Sequence, residues 1–302
     1  MKKIKEKFSI IEIGSSNTKI HIYEDNNTIY DEKITIEFKK NYKINNKIIL
    51  SDIEKLEDVI KIAKKETDNV YLYGCSIFRK ITKNELNSIN KILLEKYDVN
   101  IEVISEEDEA NLTALGCYND ISYDKNICIF IGGGGSTELL LVNNKKIIEH
   151  HFYDFGVVDI TDKFPSLKED IPTTALDEVV DYISTLINDL NFKADLFILA
   201  GGDHLYWYKN ASFKCQKNTL YNSVNQPLML DIETSNKYDN EAFKKSLNDI
   251  RNKSDNPAWF DGARAMKAIT NYVSNKIGAK YIIPTKINME LGLKFMKENE
   301  NK

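Results

Sequence analysis

The sequence predicts an α/β protein made of two duplicated domains with a central cleft between them. Two observations carry that prediction. The same strand–turn–strand grammar occurs twice, as IIEIGSSNTKIHIY over residues 10–23 and as ICIFIGGGGSTELLLV over residues 127–142. Each copy continues into a third strand. Apolar runs of strand length also alternate with helix-periodic segments in both halves. So wide a spacing between copies means duplicated domains, not a solenoid, and the two hairpin tips would face each other across the cleft. The polar stretch 120–126 reads as the linker, with a hinge expected at 118–126. The predicted domains are therefore 1–122 and 123–302.

Each element follows from local pattern. Residues 8–13 alternate as a half-buried strand, Gly14-Ser15-Ser16-Asn17 are turn formers, and residues 18–23 return as a second strand. A third strand is expected over 30–38. His21 lies inside the alternation and reads as structural. Ser51 with Glu54 three residues on has the form of a capping box, opening a helix that runs to residue 65. Residues 70–73 form a strand ending in Gly74-Cys75-Ser76, with Arg79 close behind. A helix over 84–96 and a strand over 100–104 come next. Ser105 suits an N-cap, and the acids Glu106, Glu107, Asp108 and Glu109 suit a helix N-terminus, so the helix over 107–118 accounts for them without invoking chemistry.

In the second half, strands at 127–131, 139–142 and 146–153 repeat the first three. A turn and short helix occupy 156–164, a helix 173–190, and a strand 196–200. That strand runs into Gly201-Gly202-Asp203-His204, which is either a strand-to-helix connection or a backbone contact to a nucleotide or phosphate. Residues 209–226 read as a surface loop and 228–230 as a short ordered stretch. Helices at 240–252 and 262–276, a strand at 280–283 and a helix at 288–298 complete the chain. Trp207 and Trp259 read as packing residues at the edges of the core.

Composition excludes several classes. Net charge is −5 with 29% charged residues, which lacks the basic footprint of a general nucleic-acid binder. No apolar run approaches the roughly 20 residues that span a bilayer. The basic start of the chain leads into the first strand and is not read as a signal peptide. Cys75, Cys117, Cys128 and Cys215 lack paired spacing, which favours buried thiols in a reducing cytoplasm over a metal site. A cytoplasmic protein is expected, with no nucleic acid and no membrane as partner.

The glycine run 132–135 carries the most chemistry. Without Cβ atoms, successive backbone N–H groups can close around an anion, and Ser136 and Thr137 add hydroxyls. A plain hairpin turn needs only two glycines. Four in a row ending in Ser-Thr-Glu favour a phosphate cradle. The Gly-Ser-Ser-Asn tip of the first hairpin is a weaker instance of the same device.

Six landmarks, IIEIGSSNTKIHIY, YGCSIFRK, VISEEDEANL, IGGGGSTELLLV, DFGVVDIT and LAGGD, in this order resemble the exopolyphosphatase / guanosine pentaphosphate phosphohydrolase (Ppx/GppA) family in its short, two-domain form. That family belongs to the superfamily of sugar kinases, actin and heat-shock chaperones. The resemblance implies duplicated ribonuclease-H-like (actin-like ATPase) domains. It places the first phosphate loop on Gly14, Ser15, Ser16 and Asn17, and the second on Gly133, Gly134, Gly135, Ser136 and Thr137. Arg79 would pair with a terminal phosphate. Glu109 would be the general base acting on the attacking water, and Glu138 would help hold that water or a metal. The implied reaction is in-line hydrolysis of a terminal phosphate from polyphosphate or a guanosine penta- or tetraphosphate. The implied partner is a phosphate-rich small molecule or short polyphosphate, with a homodimer left open.

The sequence also departs from the family pattern. The family's acid before the second glycine loop falls on Ile131, or on Phe130 if one glycine is an insertion. Its first-loop Asp is replaced by Glu12. Glu12 and Glu138 are thus the remaining ligands for an implied Mg2+. A family Arg falls on Asp159, a Thr on Asp203 and another Arg on Glu290. Three readings stay open: a phosphohydrolase on a short polyphosphate or guanosine polyphosphate, a weak or inactive homologue that binds a nucleotide or phosphate as a sensor, and a kinase-like or scaffold protein.

Overall fold

The computed structural model describes residues 7–25 and 27–300, so the basic start of the chain lies outside the described residues. The chain groups into two compact units. One runs up to Glu109 and resumes at Leu293. The other is Ala110–Gly292. The division falls within a helix, whereas the polar stretch 120–126 lies inside the second unit. There Asn225 donates to the Asp120 carboxylate at 3.0 Å, and Asn126 donates to Lys193 O at 2.9 Å.

The first unit is a five-stranded sheet in the order β3-β2-β1-β4-β5, from β1 (Lys7–Ile13), β2 (Asn17–Glu24), β3 (Asn27–Thr35), β4 (Val70–Gly74) and β5 (Ile101–Val103). β1, β2 and β3 are antiparallel; β4 and β5 run parallel to β1. Helices α1 (Phe38–Asn45), α2 (Leu50–Lys64) and α3 (Lys83–Tyr97) accompany the sheet, and α4 (Glu106–Tyr118) begins here.

Two expectations are corrected in this unit. The third strand ends at Thr35, because Phe38 is fully buried and packs edge-on to Phe78 at 5.2 Å, which anchors α1. The Ser51/Glu54 capping box does not form. Ile49 occupies the N-cap of α2, and Ser51 sits in its first turn. Ser105 does cap α4, accepting from the Asp108 N–H at 3.0 Å.

The second unit is a seven-stranded sheet in the order β10-β11-β12-β9-β6-β7-β8. Its strands are β6 (Ile127–Gly132), β7 (Thr137–Asn143), β8 (Lys146–Tyr153), β9 (Leu196–Leu199), β10 (Gln216–Lys217), β11 (Leu228–Asp231) and β12 (Tyr281–Pro284). Its helices are α5 (Val157–Lys163), α6 (Leu176–Leu186), α7 (Asp203–Asn210), α8 (Ile232–Ala242), α9 (Leu247–Arg251) and α10 (Ala263–Ile277), and α11 (Met289–Glu300) starts in it. The single helix expected over 240–252 is two. Ser246 caps α9, and Asp170 accepts from both the Ser246 hydroxyl (2.6 Å) and the Asn248 N–H (2.9 Å). Arg264, fully buried, donates to the carbonyls of Leu167, Glu169, Asp170, Ala242 and Lys245 and so ties the stretches 167–170 and 242–245 to α10. The four cysteines form no disulfide. No helix among the described residues is long and apolar enough to cross a membrane.

The duplication extends to register. Gly14 N–H donates to Asn17 O, and Gly133 N–H donates to Ser136 O, both at 3.0 Å. The offset that carries Gly14 onto Gly133 also carries the β-bulge at Ile22/Tyr23 onto the one at Leu141/Val142. It carries Glu12 onto Ile131 and Lys19 onto Glu138, the cross-strand partners in each hairpin.

Candidate active site

In the first unit the tip Gly14–Asn17 is held from outside, since Lys39 N–H donates to Ser15 O at 2.8 Å. The amides of Ser15 and Ser16 have no acceptor among the described residues, so both remain available to an anion. The Ser15 hydroxyl shares a 2.5 Å hydrogen bond with that of Ser76. Ser76 has a φ of 52°, a left-handed conformation that a non-glycine residue adopts at a cost. That backbone turns the Ser76 side chain onto the loop. Nothing in the local pattern marks it beyond a small residue after Gly74-Cys75.

Arg79 and Glu109 come together directly. Arg79 Nη1 donates to Glu109 Oε2 at 2.8 Å and to Ile104 O at 3.1 Å, while Nη2 lies 3.6 Å from Glu106. The cation expected at a phosphate and the carboxylate expected at a water are thus one ion pair, in which the guanidinium fixes the position of Glu109. Glu12, expected to hold a metal, instead receives Lys19 Nζ at 3.2 and 3.1 Å on its two carboxylate oxygens.

In the second unit the glycine loop is fastened by α5. Val157 N–H donates to Gly133 O (3.0 Å) and Val158 N–H to Gly134 O (2.8 Å). With these carbonyls engaged, the amides of Gly134, Gly135 and Ser136 have no acceptor among the described residues. Gly156 sits hard against the loop: a Cβ there would lie 2.5 Å from Gly133 O and 2.6 Å from Gly135 N. Thr137 does not add its hydroxyl to the exposed loop. It is fully buried in β7 with its Oγ1 unbonded among the described residues, as is its repeat counterpart Thr18.

Within the repeat, Ile131 is the register counterpart of Glu12. Ile131 pairs with Glu138 as Glu12 pairs with Lys19, whereas Phe130 is buried against Phe197 and His204. Glu138 is 8% exposed, and the imidazole of His150 on β8 lies 3.8 Å from it. His150 was not singled out from the sequence. Asp159 accepts from the Gly156 N–H at 2.8 Å and serves α5 itself. Asp203 accepts from the indole N–H of Trp259 at 3.2 Å, and burial raises its pKa. His204 is fully buried, with neither ring nitrogen hydrogen-bonded among the described residues. Burial and the nearby Lys267 charge hold its pKa well below 6.5.

These residues fit a divalent cation poorly. One expected carboxylate position is Ile131, and Glu12 is neutralised by Lys19. No group of three His, Cys, Asp or Glu side chains among the described residues converges as metal ligands. Taken singly, each unit does suit an anion: the first has an amide-lined tip, two serine hydroxyls, an arginine and a carboxylate it orients, and the second has an amide-lined glycine loop.

The chain matches the sequence profile of the Ppx/GppA phosphatase family over residues 17–223. No curated protein matches it. Among solved structures it resembles the Ppx/GppA family member of Aquifex aeolicus, at 17% identity and a TM-score of 0.79 with 99% of each chain covered. The type II variant of the Aquifex aeolicus Ppx/GppA phosphatase gives 16% identity and a TM-score of 0.78, with 96% of this chain and 98% of that one covered. An exopolyphosphatase from Cytophaga hutchinsonii gives 13% and 0.70, with 98% of each chain covered. At these identities the likeness is one of fold.

Proposed function

We propose, from the premise that this chain belongs to the Ppx/GppA phosphatase family, that it is a phosphohydrolase removing a terminal phosphate from a short polyphosphate or a guanosine penta- or tetraphosphate. The observation that carries the reading is the Arg79–Glu109 pair at 2.8 Å, set beside a hydroxyl-lined loop. An arginine fork binds phosphate oxygens well. A terminal phosphate would draw Arg79 from Glu109 and leave that carboxylate to take a proton from water. The water oxygen then bonds to the terminal phosphorus, the bridging P–O bond breaks, and the bridging oxygen leaves on the shortened chain. Loop amides, the Ser15 and Ser76 hydroxyls and Arg79 carry the charge on the transferring group. No step is assigned to a metal, because the carboxylates present do not suit one. The family relatives named as phosphatase and exopolyphosphatase support the same reaction class.

A second reading, a weak or inactive homologue that senses a phosphate ligand, is favoured by one observation: Ile131 in place of an acid. Glu109→Gln separates the two. The enzyme reading expects phosphate release from inorganic triphosphate, polyphosphate or guanosine pentaphosphate to fall by about 10²–10⁴-fold, with ligand-induced rise in melting temperature kept. Unchanged release would remove Glu109 from the base role. Binding without release by the unaltered protein would favour the sensor.

A further inference from the structure

Glu12 and Lys19 face each other across the first hairpin, one register step below the Ile13–Thr18 pair that closes its tip. Ile13 and Thr18 are fully buried, and strand alternation turns Glu12 and Lys19 to the other face of the sheet. There Lys19 Nζ meets both Glu12 oxygens, with 29% of the Lys19 and 17% of the Glu12 side chain exposed, so the pair is ordered yet within reach of a ligand. It lies close to the Arg79–Glu109 pair. β1 and β4 are parallel neighbours, Cys75 N–H donates to Ile13 O at 3.0 Å, and the Cys75 thiol feels all four charges. Burial pushes that thiol up to about 12, Glu109 and Glu12 push it the same way, and Arg79 and Lys19 oppose them. The serine-lined tip, two cations and two carboxylates thus share one end of one sheet. A divalent cation would need the Glu12 oxygens, and the ammonium holds both. In the second hairpin the same register sets Ile131 opposite Glu138, and the imidazole of His150 lies 3.8 Å from that carboxylate. In each unit, then, the carboxylate expected to hold a metal is attended by a basic side chain.

We propose that the Lys19 ammonium is the fixed cation of this phosphate site, standing in for a divalent metal, so that the protein binds and turns over its phosphate substrate without one. An ammonium is a compact point charge with three N–H donors. It can bridge the Glu12 carboxylate and a phosphate oxygen, the post that a carboxylate-held metal ion fills in other phosphate sites. Arg79 is committed to the terminal phosphate and to Glu109, and Lys19 supplies the second positive charge. The proposal rests on the phosphohydrolase reading for turnover only; the binding half stands without it.

Calorimetric titration of the full chain with inorganic triphosphate, and phosphate release from it, each in excess chelator and in Mg2+, test this. Mg2+ also binds triphosphate itself, so the quantity read is the ratio between the two conditions, compared between variants. In the unaltered protein that ratio is expected to stay within about threefold for both affinity and kcat/KM. Lys19→Met is expected to lower kcat/KM in chelator by about 10²–10³-fold, the loss that follows removal of one donor to a developing charge. Mg2+ should then recover at least about tenfold of it, because Glu12 is open to the ion. An unaltered protein that binds triphosphate only with Mg2+ would overturn the proposal. So would a Lys19→Met protein unchanged in chelator, or one whose loss Mg2+ does not touch, since a merely structural lysine gives no new metal dependence. Should Lys19→Met fail to fold, Lys19→Gln, which still donates to Glu12, takes its place with the same expectations. The two readings fail separately. Triphosphate bound in chelator, weakened by Lys19→Met and recovered by Mg2+, with no phosphate released by any form, removes only the phosphohydrolase. Turnover that requires Mg2+ in the unaltered protein removes only the fixed cation.

Discussion

Gly156→Ala is predicted to displace the glycine loop. An added Cβ would stand 2.5 Å from Gly133 O and 2.6 Å from Gly134 C and Gly135 N. Ordinary van der Waals separation is about 3.5 Å, so α5 and the loop must part by up to about 1 Å. The Gly156 backbone, at φ −144°, accepts any residue, so the clash alone acts. Parting them weakens the hydrogen bonds from Val157 to Gly133 O and from Val158 to Gly134 O, worth about 1 kcal/mol each, and adds an overpacking term of about 1–3 kcal/mol. A loss of about 2–4 kcal/mol corresponds to a fall in melting temperature on the order of 5–10 °C. A 1 Å misplacement of a substrate-positioning group lowers turnover by up to about 10²-fold. Melting curves and kcat/KM for inorganic triphosphate measure both effects. Gly135→Ala is the comparison, because its Cβ would meet nothing within 4 Å. It is expected to leave stability within about 0.5 kcal/mol and to weaken triphosphate binding. Gly156→Ala with unchanged melting and unchanged kcat/KM would refute the idea that α5 positions the loop.

Three further outcomes follow from the same geometry. Ile131→Asp places a carboxylate opposite Glu138 and is expected to create magnesium-dependent stabilisation, seen as a rise in melting temperature with added Mg2+; no rise would mean that the site excludes the ion for another reason. His204 titrates lower in the folded chain than in the unfolded one, so the unfolded chain takes the proton first. Stability is complete above about pH 6.5 and falls as pH drops below it, by up to about 1.4 kcal/mol per unit; denaturant unfolding at pH 7.5 and 5.5 should show a smaller loss in His204→Leu. Lys267 and Asp239 form a fully buried pair at 2.7 Å, so Lys267→Met should cost about 3–5 kcal/mol, and adding Asp239→Leu should recover most of it in chemical denaturation.

Features set by local pattern were legible in the sequence. Period-two alternation and consecutive glycines located both hairpins and their duplication. Ser105 and the four acids after it marked the start of α4. What was hidden depended on partners distant in sequence. Phe38 reads as the end of a strand until Phe78 is seen beneath it. The break between α8 and α9 depends on Asp170, which is remote from Ser246 in sequence. Thr137 looks like part of the loop, yet strand pairing with Gly132 buries it. Glu12 looks like a metal ligand until its cross-strand neighbour proves to be Lys19. The Arg79–Glu109 pair brings together two residues that the sequence could only assign to separate tasks.

The split of the first unit has a consequence for synthesis. Its sheet and early helices leave the ribosome first, but α11 from Leu293 onward, with Lys294 over the Tyr23 ring at 5.2 Å and Lys297 over the Tyr71 ring at 4.3 Å, emerges after all of the second unit. The unit begun first is therefore completed last. Domains are made and folded in order from the N-terminus at about 5–20 residues per second, so for the time taken to translate 110–292 the first sheet waits without its final helix. A chain stopped near residue 292 would carry the glycine loop and the cavity beside it whole, and would lack the segment that completes the unit holding Arg79 and Glu109.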